Sequence, residues 1–371
     1  MRIGVLVLMA GRAAGGPETY EVELLRALAQ IDRANEYVVY CTGPEAPRAI
    51  GVRQENVRYH VLRPPARAVS LSVTLPARTL VDGIDFLHAT FTPPPVALRR
   101  EVLTLHCLSS FVHPEFYRPL IAWRLNGLLR VGMRRAARIL CVSRDTAEHV
   151  HQRFGIPRDR LAVTYNGVSA RFQPVPPEIA RRRVREALNV NDPYALFVGK
   201  LEPRKNVVRL LEAFARFRAD TRSGTKLLMA GNRTGMTPAI ERQLVRLGLR
   251  DAVLLPGYVP DDLLTSLYSA ARMFLLPSLW EGFGIPIVEA MACGTPVLTS
   301  NVTCLPEIAG DAALIVDPAS AAGIAEGIAR LDASEVLRDT LRERGLRRAS
   351  VFTWERSARA TLAAYQSMTR H

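Results

Sequence analysis

Short apolar runs alternate with helix-like segments along this chain, and that alternation limits the folds it can form. Val5 to Met9 is an unbroken apolar run, typical of a strand buried on both faces of a parallel sheet. A glycine-containing loop follows, and Pro17 then begins a predicted helix that extends to Ile31. Strands that alternate with helices indicate an α/β domain with a parallel sheet. The other predicted strands of this first series are Tyr37–Tyr40, Phe86–His88, Val102–His106 and Ile139–Val142.

The pattern breaks at residues 172–177, where three prolines in four positions mark a stiff connector. A charged helix, Arg181–Leu188, is predicted next, and a second alternating series follows it. A chain of 371 residues is long enough for two such domains, joined near residues 172–190. The predicted strands of the second series are Ala195–Val198, Lys226–Ala230, Ala252–Leu255, Met273–Leu276, Pro296–Thr299 and Ala313–Val316.

Composition excludes several classes of protein. With 48% hydrophobic and 23% charged residues, the chain has enough apolar material for packed cores, which excludes global disorder. No window approaches about 18 uninterrupted apolar residues, so we expect no transmembrane helix, and the apolar start is expected to be a strand rather than a secretion signal. The five cysteines show no C-x-x-C spacing, which argues for a reducing compartment and against a disulfide framework or a zinc site.

The net charge of +14 is unevenly distributed along the chain. Residues 1–185 contain 27 arginines, no lysine and 15 acidic residues, whereas residues 186–371 contain 22 basic and 20 acidic residues. The preference for arginine over lysine is explained most simply by genome base composition. It makes the three lysines, Lys200, Lys205 and Lys226, worth examining, because two of them lie within six residues of each other.

Residues 199–206 directly follow a predicted buried strand and hold Lys200, Arg204 and Lys205. Open α/β sheets bind their ligands at the carboxyl ends of such strands. A flexible lysine delivers a point charge and arginine a planar fork, and together they suit a phosphate or diphosphate. The alternative is an ordinary solvated turn. The scarcity of lysine elsewhere favours the binding site.

A second candidate segment spans residues 277–296, where a strand enters a glycine-containing loop and a short helix runs from about Pro286 to Gly294. Glycines before a helix leave backbone N–H groups available to an anion. Glu281 lies in the loop and Glu289 lies in the helix. Carboxylates suit hydroxyl-rich ligands because each oxygen accepts from sugar O–H groups. The alternative is that these acids only stabilise the helix dipole.

The spacing from Glu281 to Glu289 resembles the E-x7-E signature of the retaining glycosyltransferases of family 4, which have the GT-B fold. Five further segments resemble motifs of that family in the same order along the chain, so the resemblance covers most of it. The further matches are the loop through Gly15 and Gly16, Val142-Ser143 with Tyr165-Asn166-Gly167-Val168, residues 199–206, the run from Leu305-Pro306-Glu307 to Asp317-Pro318, and Phe352-Thr353-Trp354-Glu355.

The resemblance implies two Rossmann-like, doubly wound parallel-sheet domains that face each other across a cleft. It places an acceptor-side domain at residues 1–172 and a domain that binds a nucleotide sugar at residues 173–352. A last helix, at about residues 353–371, would cross back to the N-terminal domain.

The resemblance also implies roles for the cationic segment. Lys200 and Lys205 would neutralise the diphosphate as the sugar leaves, with Gly199 and Arg204 beside them. Glu289 would hold the ribose hydroxyls of the donor.

Further roles follow from the same resemblance. Glu281, with the backbone of Gly282, Phe283 and Gly284, would position the transferred hexose. Gly16 would let the backbone of the first domain approach the donor phosphates.

The chain departs from the family at two positions. The family often has arginine where Lys200 stands, which keeps the charge but not the planar fork. It often has His-Asp where this chain has His106-Cys107. The histidine of the pair is kept, so His106 is a candidate catalytic residue beside the donor sugar, although a lone histidine next to a strand is about as often structural.

The mechanism usual in the family is front-face attack, in which the leaving phosphate helps to take the acceptor's proton. It requires electrostatic stabilisation and positioning more than a strong base. No two aspartates in the chain are spaced D-x-D, so we expect no metal and no cofactor beyond the nucleotide-sugar donor.

The leading hypothesis is a retaining hexosyltransferase that acts on a glycan or lipid-linked acceptor in polysaccharide assembly. The E-G-F-G-x-P form of the motif resembles mannosyltransferases, so GDP-mannose is the first choice of donor, ahead of UDP- and ADP-sugars. The alternatives are a GT-B nucleotide-sugar epimerase and a non-catalytic nucleotide-sugar binder. A dehydrogenase is disfavoured because the glycines lack G-x-G-x-x-G spacing.

The first domain contains a predicted basic helix at residues 118–140. On a helical wheel, Leu120 and Trp123 fall inside a basic arc, and leucines with Met133 lie opposite, toward the core. Arginines interleaved with such apolar residues are typical of interfacial membrane binding, so we expect a cytoplasmic protein that is peripheral at an anionic inner membrane face. An ordinary solvated face is the alternative, and no nucleic-acid recognition motif accompanies the helix. The basic arc comprises Arg124, Arg130, Arg134, Arg135 and Arg138.

Overall fold

The computed structural model of the chain describes residues 1–232 and 237–368. They form two compact units. The first comprises Met1–Gly167 and the stretch that begins at Thr353, and the second comprises Val168–Phe352. The chain therefore leaves the first unit once, builds the whole of the second, and returns for its last helix.

The sheet of the first unit is entirely parallel and is buried along its central strands. Its strands are β1 Arg2–Val7, β2 Glu36–Cys41, β3 Val57–Val61, β4 Phe86–Ala89, β5 Arg100–Leu105, β6 Arg138–Cys141 and β7 Leu161–Val163. They lie in the order β3-β2-β1-β4-β5-β6-β7. Ile3 of β1 is level with Tyr37 of β2 and Phe86 of β4. The order reverses direction between β1 and β4, which is where doubly wound sheets bind ligands.

The sequence pattern missed two strands of this sheet and misplaced the first one. β3 and β7 lie at the two edges and are only partly buried: polar residues interrupt the apolar run of β3, and β7 is only 3 residues long. β1 begins at Arg2 and ends at Val7, so Leu8 and Met9 belong to the following loop. Hydrophobicity alone did not show where strand pairing stops.

Helices cover the sheet of the first unit, and the last helix of the chain is one of them. The helices are α1 Gly16–Ile31, α2 Ala46–Ile50, α3 Arg67–Val69, α4 Leu75–Val81, α5 Ser109–Val112, α6 Pro119–Arg135, α7 Arg144–Phe154 and, from the end of the chain, α16 Trp354–Ser367. α16 packs against α1, and Trp354 and Tyr365 join the same core as β1 and β2. A Cβ on Gly167 would lie 2.2 Å from the backbone nitrogen of Trp354, so only glycine allows α16 to begin there.

The predicted helix at residues 118–140 is too long, and the structure corrects its end. α6 ends at Arg135, Ala136 is extended, and Arg138 begins β6. The physical reason is pairing: the apolar run after Arg138 gains parallel hydrogen bonds with β5, which a longer helix could not supply. Arg135 turns from the basic face to pair with the buried Glu101. Two of the five arginines assigned to the basic arc therefore lie outside it.

The second unit has a six-stranded parallel sheet. Its strands are β8 Tyr194–Val198, β9 Lys226–Ala230, β10 Val253–Gly257, β11 Met273–Leu276, β12 Val297–Ser300 and β13 Ala313–Val316. Their order is β10-β9-β8-β11-β12-β13, and every pair is parallel. The apolar runs predicted all six strands, including the partly buried edge strands β10 and β13. The reversal of strand order lies between β8 and β11.

The helices of the second unit alternate with these strands. They are α8 Pro177–Leu188, α9 Val207–Thr221, α10 Thr237–Arg246, α11 Asp261–Ala270, α12 Ile285–Ala292, α13 Leu305–Ala309, α14 Ala321–Ala333 and α15 Glu335–Ala349. Within the part of the chain that the structure describes, no helix is long and apolar enough to cross a membrane.

Candidate active site

The two candidate segments of the second unit lie side by side at the carboxyl edge of its sheet. Residues 199–206 follow β8, and residues 277–284 follow β11. These two strands are neighbours at the point where the strand order reverses. Crevices at such reversal points bind ligands because the connections on either side diverge and leave space between them.

Backbone geometry shapes the segment after β8. Gly199 and Gly231, at the ends of neighbouring strands, both have φ of +148°, and a Cβ on Gly231 would lie 2.1 Å from the carbonyl oxygen of Gly199. A short 3₁₀ turn then runs from Pro203 to Lys205. Asn206 closes it with a left-handed φ of 61°, and its amide donates to the carbonyls of Pro277 and Pro318 at 3.0 and 2.8 Å. Sequence reasoning gave Asn206 no role, yet it ties the two segments together.

Arg204, Lys205 and Glu281 form a cation–carboxylate cluster between the two segments. The ammonium of Lys205 donates to Oε1 of Glu281 at 2.5 Å, and Arg204 donates to Oε2 at 2.9 Å. The hydroxyl of Ser278 also donates to Oε1, at 2.9 Å. The structure thus brings together three residues that the sequence placed 76 and 77 positions apart.

Burial and charge act in opposite directions on this cluster. Burial alone would raise the pKa of Glu281, but the charges of Lys205 and Arg204 outweigh it and lower that pKa to about 2. Burial lowers the pKa of Lys205, although Glu281 opposes the shift. Glu281 is therefore a carboxylate at neutral pH, and its negative charge holds Lys205 in place.

Lys200 stands apart from the cluster. Its side chain is only partly buried, and the structure gives it no ion pair with any residue in 1–232 or 237–368. Its charge is therefore available to a ligand that enters at the sheet edge.

The glycine loop after β11 ends at Gly284, which has φ of +88° and precedes the first residue of α12. The ring of Phe283 is buried and packs edge-on against Phe352, with ring centroids 5.5 Å apart. The side chain of Phe283 is thus committed to the core. Only its backbone, with that of Gly282 and Gly284, can face a ligand.

Glu289 lies one turn into α12 and outside the cluster. Its Oε2 accepts from the hydroxyl of Tyr268 at 2.9 Å. Burial raises the pKa of Glu289 to about 7, against the smaller opposing effect of the Tyr268 hydrogen bond. Near neutral pH this carboxyl is consequently balanced between its two protonation states.

The glycine loop of the first unit is held by carboxylates of α1. Glu21 accepts from the backbone N–H groups of Leu8, Met9 and Ala10 at 2.7 to 2.9 Å. The hydroxyl of Thr90, just after β4, also donates to Glu21, at 2.8 Å. Glu21 therefore joins the ends of β1 and β4. Sequence reasoning missed it, although an acid one turn into the helix that follows a glycine loop was the available signal.

Gly15 and Gly16 lie at the start of α1, beyond this anchored stretch. Gly15 has φ of +76°, and a Cβ built on it would have no neighbour within 4 Å. Glu18 accepts from the N–H groups of Gly11 and Ala14 at 2.7 and 2.6 Å, which fixes the loop on its outer side. The backbone around Gly15 and Gly16 is open to an approaching group.

His106 follows β5 and has a structural partner. Its Nε2 lies 2.7 Å from the carbonyl oxygen of Thr90, so that nitrogen carries the proton and donates. Burial lowers the pKa of His106 to about 4, and the ring of Tyr20 packs edge-on against it at 4.5 Å. The imidazole is neutral at physiological pH, which leaves Nδ1 as an acceptor and not as an acid.

In the ranges 1–232 and 237–368, no three or more His, Cys, Asp or Glu side chains are grouped so that they could hold a metal ion. The charged groups at the sheet edge of the second unit are mainly cations, which suits an anionic ligand.

Comparison with known proteins identifies both units as glycosyltransferase domains. A family model described as glycosyltransferase family 4 matches residues 14–172, and one described as glycosyl transferases group 1 matches residues 178–348. The chain is 37% identical to O-antigen chain mannosyltransferase B of Escherichia coli over 292 residues, which is 78% of this chain and 76% of that protein. It is 28% identical to O-antigen chain mannosyltransferase RfbU of Salmonella typhimurium over 323 residues, 83% of this chain and 84% of that one.

Solved structures share the fold at low sequence identity. Anabaena HepE, solved in complex with UDP and glucose, superimposes with a TM-score of 0.79 at 20% identity, covering 99% of this chain and all of that one. WaaG, a glycosyltransferase involved in lipopolysaccharide biosynthesis, gives a TM-score of 0.75 at 18% identity, with 98% of each chain covered. The two parallel-sheet units, the matching family models and the similar sequences agree: the chain belongs to the family 4 glycosyltransferases and has the GT-B fold.

Proposed function

We propose that this glycosyltransferase moves a hexose, with mannose as the first choice, from a nucleotide diphosphate sugar to a saccharide or lipid-linked saccharide, with retention of the anomeric configuration. The observation that carries the proposal is the cation–carboxylate cluster, with Lys200 beside it, at the β8–β11 reversal. The mannosyltransferase names of the Escherichia coli and Salmonella relatives support the choice of sugar.

The leaving diphosphate would be neutralised by Lys200, Lys205 and Arg204. An ammonium has three donors, and Lys205 uses one of them on Glu281. We propose that its remaining donors bind phosphate oxygens while the ion pair is kept. Because Glu281 holds Lys205 and Arg204 in place before the ligand arrives, these two cations would stabilise the charge that develops on the leaving group with little reorganisation.

Glu281 would both hold the cations and orient the hexose. Its Oε1 already accepts two hydrogen bonds, from Lys205 and Ser278, whereas Oε2 accepts one, from Arg204. A carboxylate oxygen accepts two such bonds, so Oε2 can take one sugar hydroxyl. The backbone of Gly282 to Gly284 would line the same sugar.

Glu289 would accept from the ribose hydroxyls, using the oxygen that Tyr268 leaves unoccupied. This contact is common to GDP-, UDP- and ADP-sugars, so it does not select the base. From the first unit, the open backbone at Gly15 and Gly16 would approach the donor phosphates, and His106 would contribute through Nδ1 as a neutral acceptor at the sugar.

The proposal includes no metal and no cofactor, since arginine and lysine supply the positive charge. A chelator should leave the rate of transfer unchanged, measured as sugar nucleotide consumed in the presence of acceptor. Loss of turnover with chelator that Mg²⁺ or Mn²⁺ restores would contradict this part of the proposal.

The test of the function uses the purified full chain with GDP-mannose, UDP-glucose and ADP-glucose in turn and an octyl α-mannoside as acceptor probe. We expect a donor-dependent rise in melting temperature that is largest for GDP-mannose, and an NMR spectrum of the product that shows an α-linked hexose. A β-linked product would contradict retention. Conversion of the donor sugar without acceptor would indicate an epimerase, and binding without turnover would indicate a non-catalytic binder.

Matched lysine variants locate the activity. Lys200→Met and Lys205→Met should each lower kcat at least about 100-fold, the range seen when a group that stabilises transition-state charge is removed. Lys226→Gln removes the third lysine, which pairs with Asp192 at the amino end of β9, away from the carboxyl edge of the sheet, and should retain activity. Equal losses in all three variants would show that total charge, and not the cluster, sets the rate.

We propose that the acceptor is an intermediate of polysaccharide assembly and that the protein acts in the cytoplasm. The relatives named as O-antigen chain mannosyltransferases support that class of acceptor. A nucleotide-sugar donor of the kind proposed above is consistent with a cytoplasmic site of action.

A further inference from the structure

The solvent-facing side of α6 carries large apolar side chains that have no place in the core of the first unit. Trp123 is 74% exposed and Leu120 is 67% exposed, and Ile121 and Val131 are also more than half exposed. The opposite side is conventional, since Leu129 and Met133 are buried in a cluster with β5 and β6. Exposed tryptophan is costly in water, so a patch of this kind marks a surface that binds something.

The charges on the same face all have one sign. Arg124, Arg130 and Arg134 are exposed among the apolar residues, and Arg118 is exposed immediately before the helix. In the sequence, no acidic residue occurs between Glu115 and Asp145. Among the described residues, the structure gives Arg118, Arg124 and Arg134 no ion pair, so their charges are not compensated within the unit.

The exposed apolar side chains and the arginines lie in one stripe along the helix. Positions 120, 123, 127, 130 and 134 recur every three or four residues, so they line one side of a helix about 25 Å long. Arginines interleaved with tryptophan and leucine on one face match an interfacial helix, in which the apolar side chains enter the headgroup region and the cations meet anionic lipids. A folded protein partner or a nucleic acid would not explain both the tryptophan and the absence of acids as simply.

We propose that the exposed face of α6, from Leu120 to Arg134, together with Arg118 immediately before the helix, docks the protein on an anionic lipid surface. Trp123 and Leu120 insert at the headgroup level, and the arginines bind lipid phosphates around them. Docking of this kind needs no helix that spans the bilayer. The proposal does not depend on which sugar is transferred.

The test is co-sedimentation of the full chain with vesicles of phosphatidylcholine alone or mixed with phosphatidylglycerol, at low and at physiological ionic strength. We expect binding only to the mixed vesicles, weakened by salt. The double variant Leu120→Ser, Trp123→Ser should bind at least about tenfold more weakly, through lost apolar burial. Arg124→Gln, Arg134→Gln should lose about tenfold or more at low salt and show a smaller salt dependence.

The matched control is Arg181→Gln, Arg182→Gln, which removes the same charge from the exposed arginines of α8 in the second unit and should bind like the unaltered chain. Fluorescence is a second readout: Trp280 and Trp354 are buried, so Trp123 is the tryptophan that should shift to the blue and be quenched by brominated lipid.

Three results would overturn the proposal. They are equal binding to neutral vesicles, equal losses in the α8 control, and α6 variants that change the oligomeric state or nucleic-acid binding while lipid binding is absent. Because the assay contains no donor or acceptor, its outcome is separate from that of the transferase test.

Discussion

Glu281 holds two cations in a buried site, so its removal should lower the free energy of unfolding. The variant Glu281→Ala leaves Lys205 buried without its partner, which typically costs 3–5 kcal/mol, an order of magnitude taken from other buried ion pairs. We expect the double variant Lys205→Met, Glu281→Leu to recover most of that loss, because the buried ammonium is removed and Arg204 keeps its ion pair with Glu202. Urea unfolding of the two variants measures the difference.

Glu202→Ala is the control for this prediction. Glu202 pairs with Arg204 at 2.9 Å, but both side chains are partly exposed, so its removal should cost no more than about 1 kcal/mol. If Glu281→Ala were no more damaging than Glu202→Ala, Glu281 would not be holding the cations. Activity comparisons with a variant at position 281 therefore require Glu281→Gln, which keeps the shape of the side chain.

Glu289 should make stability depend on pH in a defined direction. Its folded pKa of about 7 lies above the ordinary value of 4.5, so the folded state binds the proton more tightly. The stabilising effect is complete below the unfolded pKa and is lost as pH rises through about 7. Relative to the unaltered chain, the free energy of unfolding of Glu289→Gln should rise by up to about 3 kcal/mol as the pH increases from about 5 to about 8. Urea unfolding at each pH measures this difference.

Glu186→Gln, at an exposed position of α8, should show no such change across the same pH range. A gain for Glu289→Gln that is constant with pH would mean that Glu289 is ionised throughout, and a gain that shrinks as pH rises would reverse the assigned direction.

At the scale of elements, the ends of β8 and β9 approach too closely for any side chain at Gly231. An added Cβ would meet the Gly199 carbonyl at 2.1 Å, and the φ of +148° at Gly231 is itself unfavourable for alanine. Gly231→Ala should therefore displace the start of the segment that holds Lys200 and Lys205. We expect a clear loss of the donor-dependent rise in melting temperature, beyond any loss of stability itself.

Gly224→Ala provides the matched control, because a Cβ there has open space around it and the residue precedes the same strand. It should leave both the melting temperature and the donor effect within experimental error. A Gly231→Ala variant that responds to donor like the Gly224→Ala variant would contradict the role assigned to this glycine pair.

The elements also show where pattern reading succeeds. The strands β9, β11 and β13 were predicted with the bounds observed, because each contains a continuous run of four apolar residues. Edge strand β3 was missed because Arg58 and His60 interrupt its apolar run, and edge strand β7 was missed because it is only 3 residues long. α6 was predicted too long because helical periodicity continues through Arg138, and pairing with β5 is what stops the helix.

At the scale of the whole molecule, α16 completes a unit that begins more than 300 residues earlier. Nδ1 of His88 on β4 lies 2.6 Å from the hydroxyl of Tyr365, and both groups are buried. Tyr365→Phe leaves His88 without this partner, at a typical cost of 1–3 kcal/mol, quoted as an order of magnitude. We expect faster amide exchange in the first unit, at β1, β4 and β5, with β8 and β11 unchanged.

The reciprocal variant is Tyr194→Phe, which removes a buried 2.7 Å hydrogen bond to the Leu267 carbonyl within the second unit. Its exchange should increase in the second unit alone. Equal exchange changes in both units for either variant would show that the two cores do not respond separately to local damage.

The sequence alone determined that there are two parallel sheets, because buried strands must be apolar, and it identified the cationic and acidic segments that follow them. It also indicated the family, since motif order along the chain is a property of sequence. Which of these residues meet was decided by the tertiary structure. Lys205 and Glu281 pair because β8 and β11 become neighbours at a reversal of strand order, and Glu289 instead meets Tyr268. Pairing across a sheet depends on which strands lie side by side, and local propensity contains no record of that.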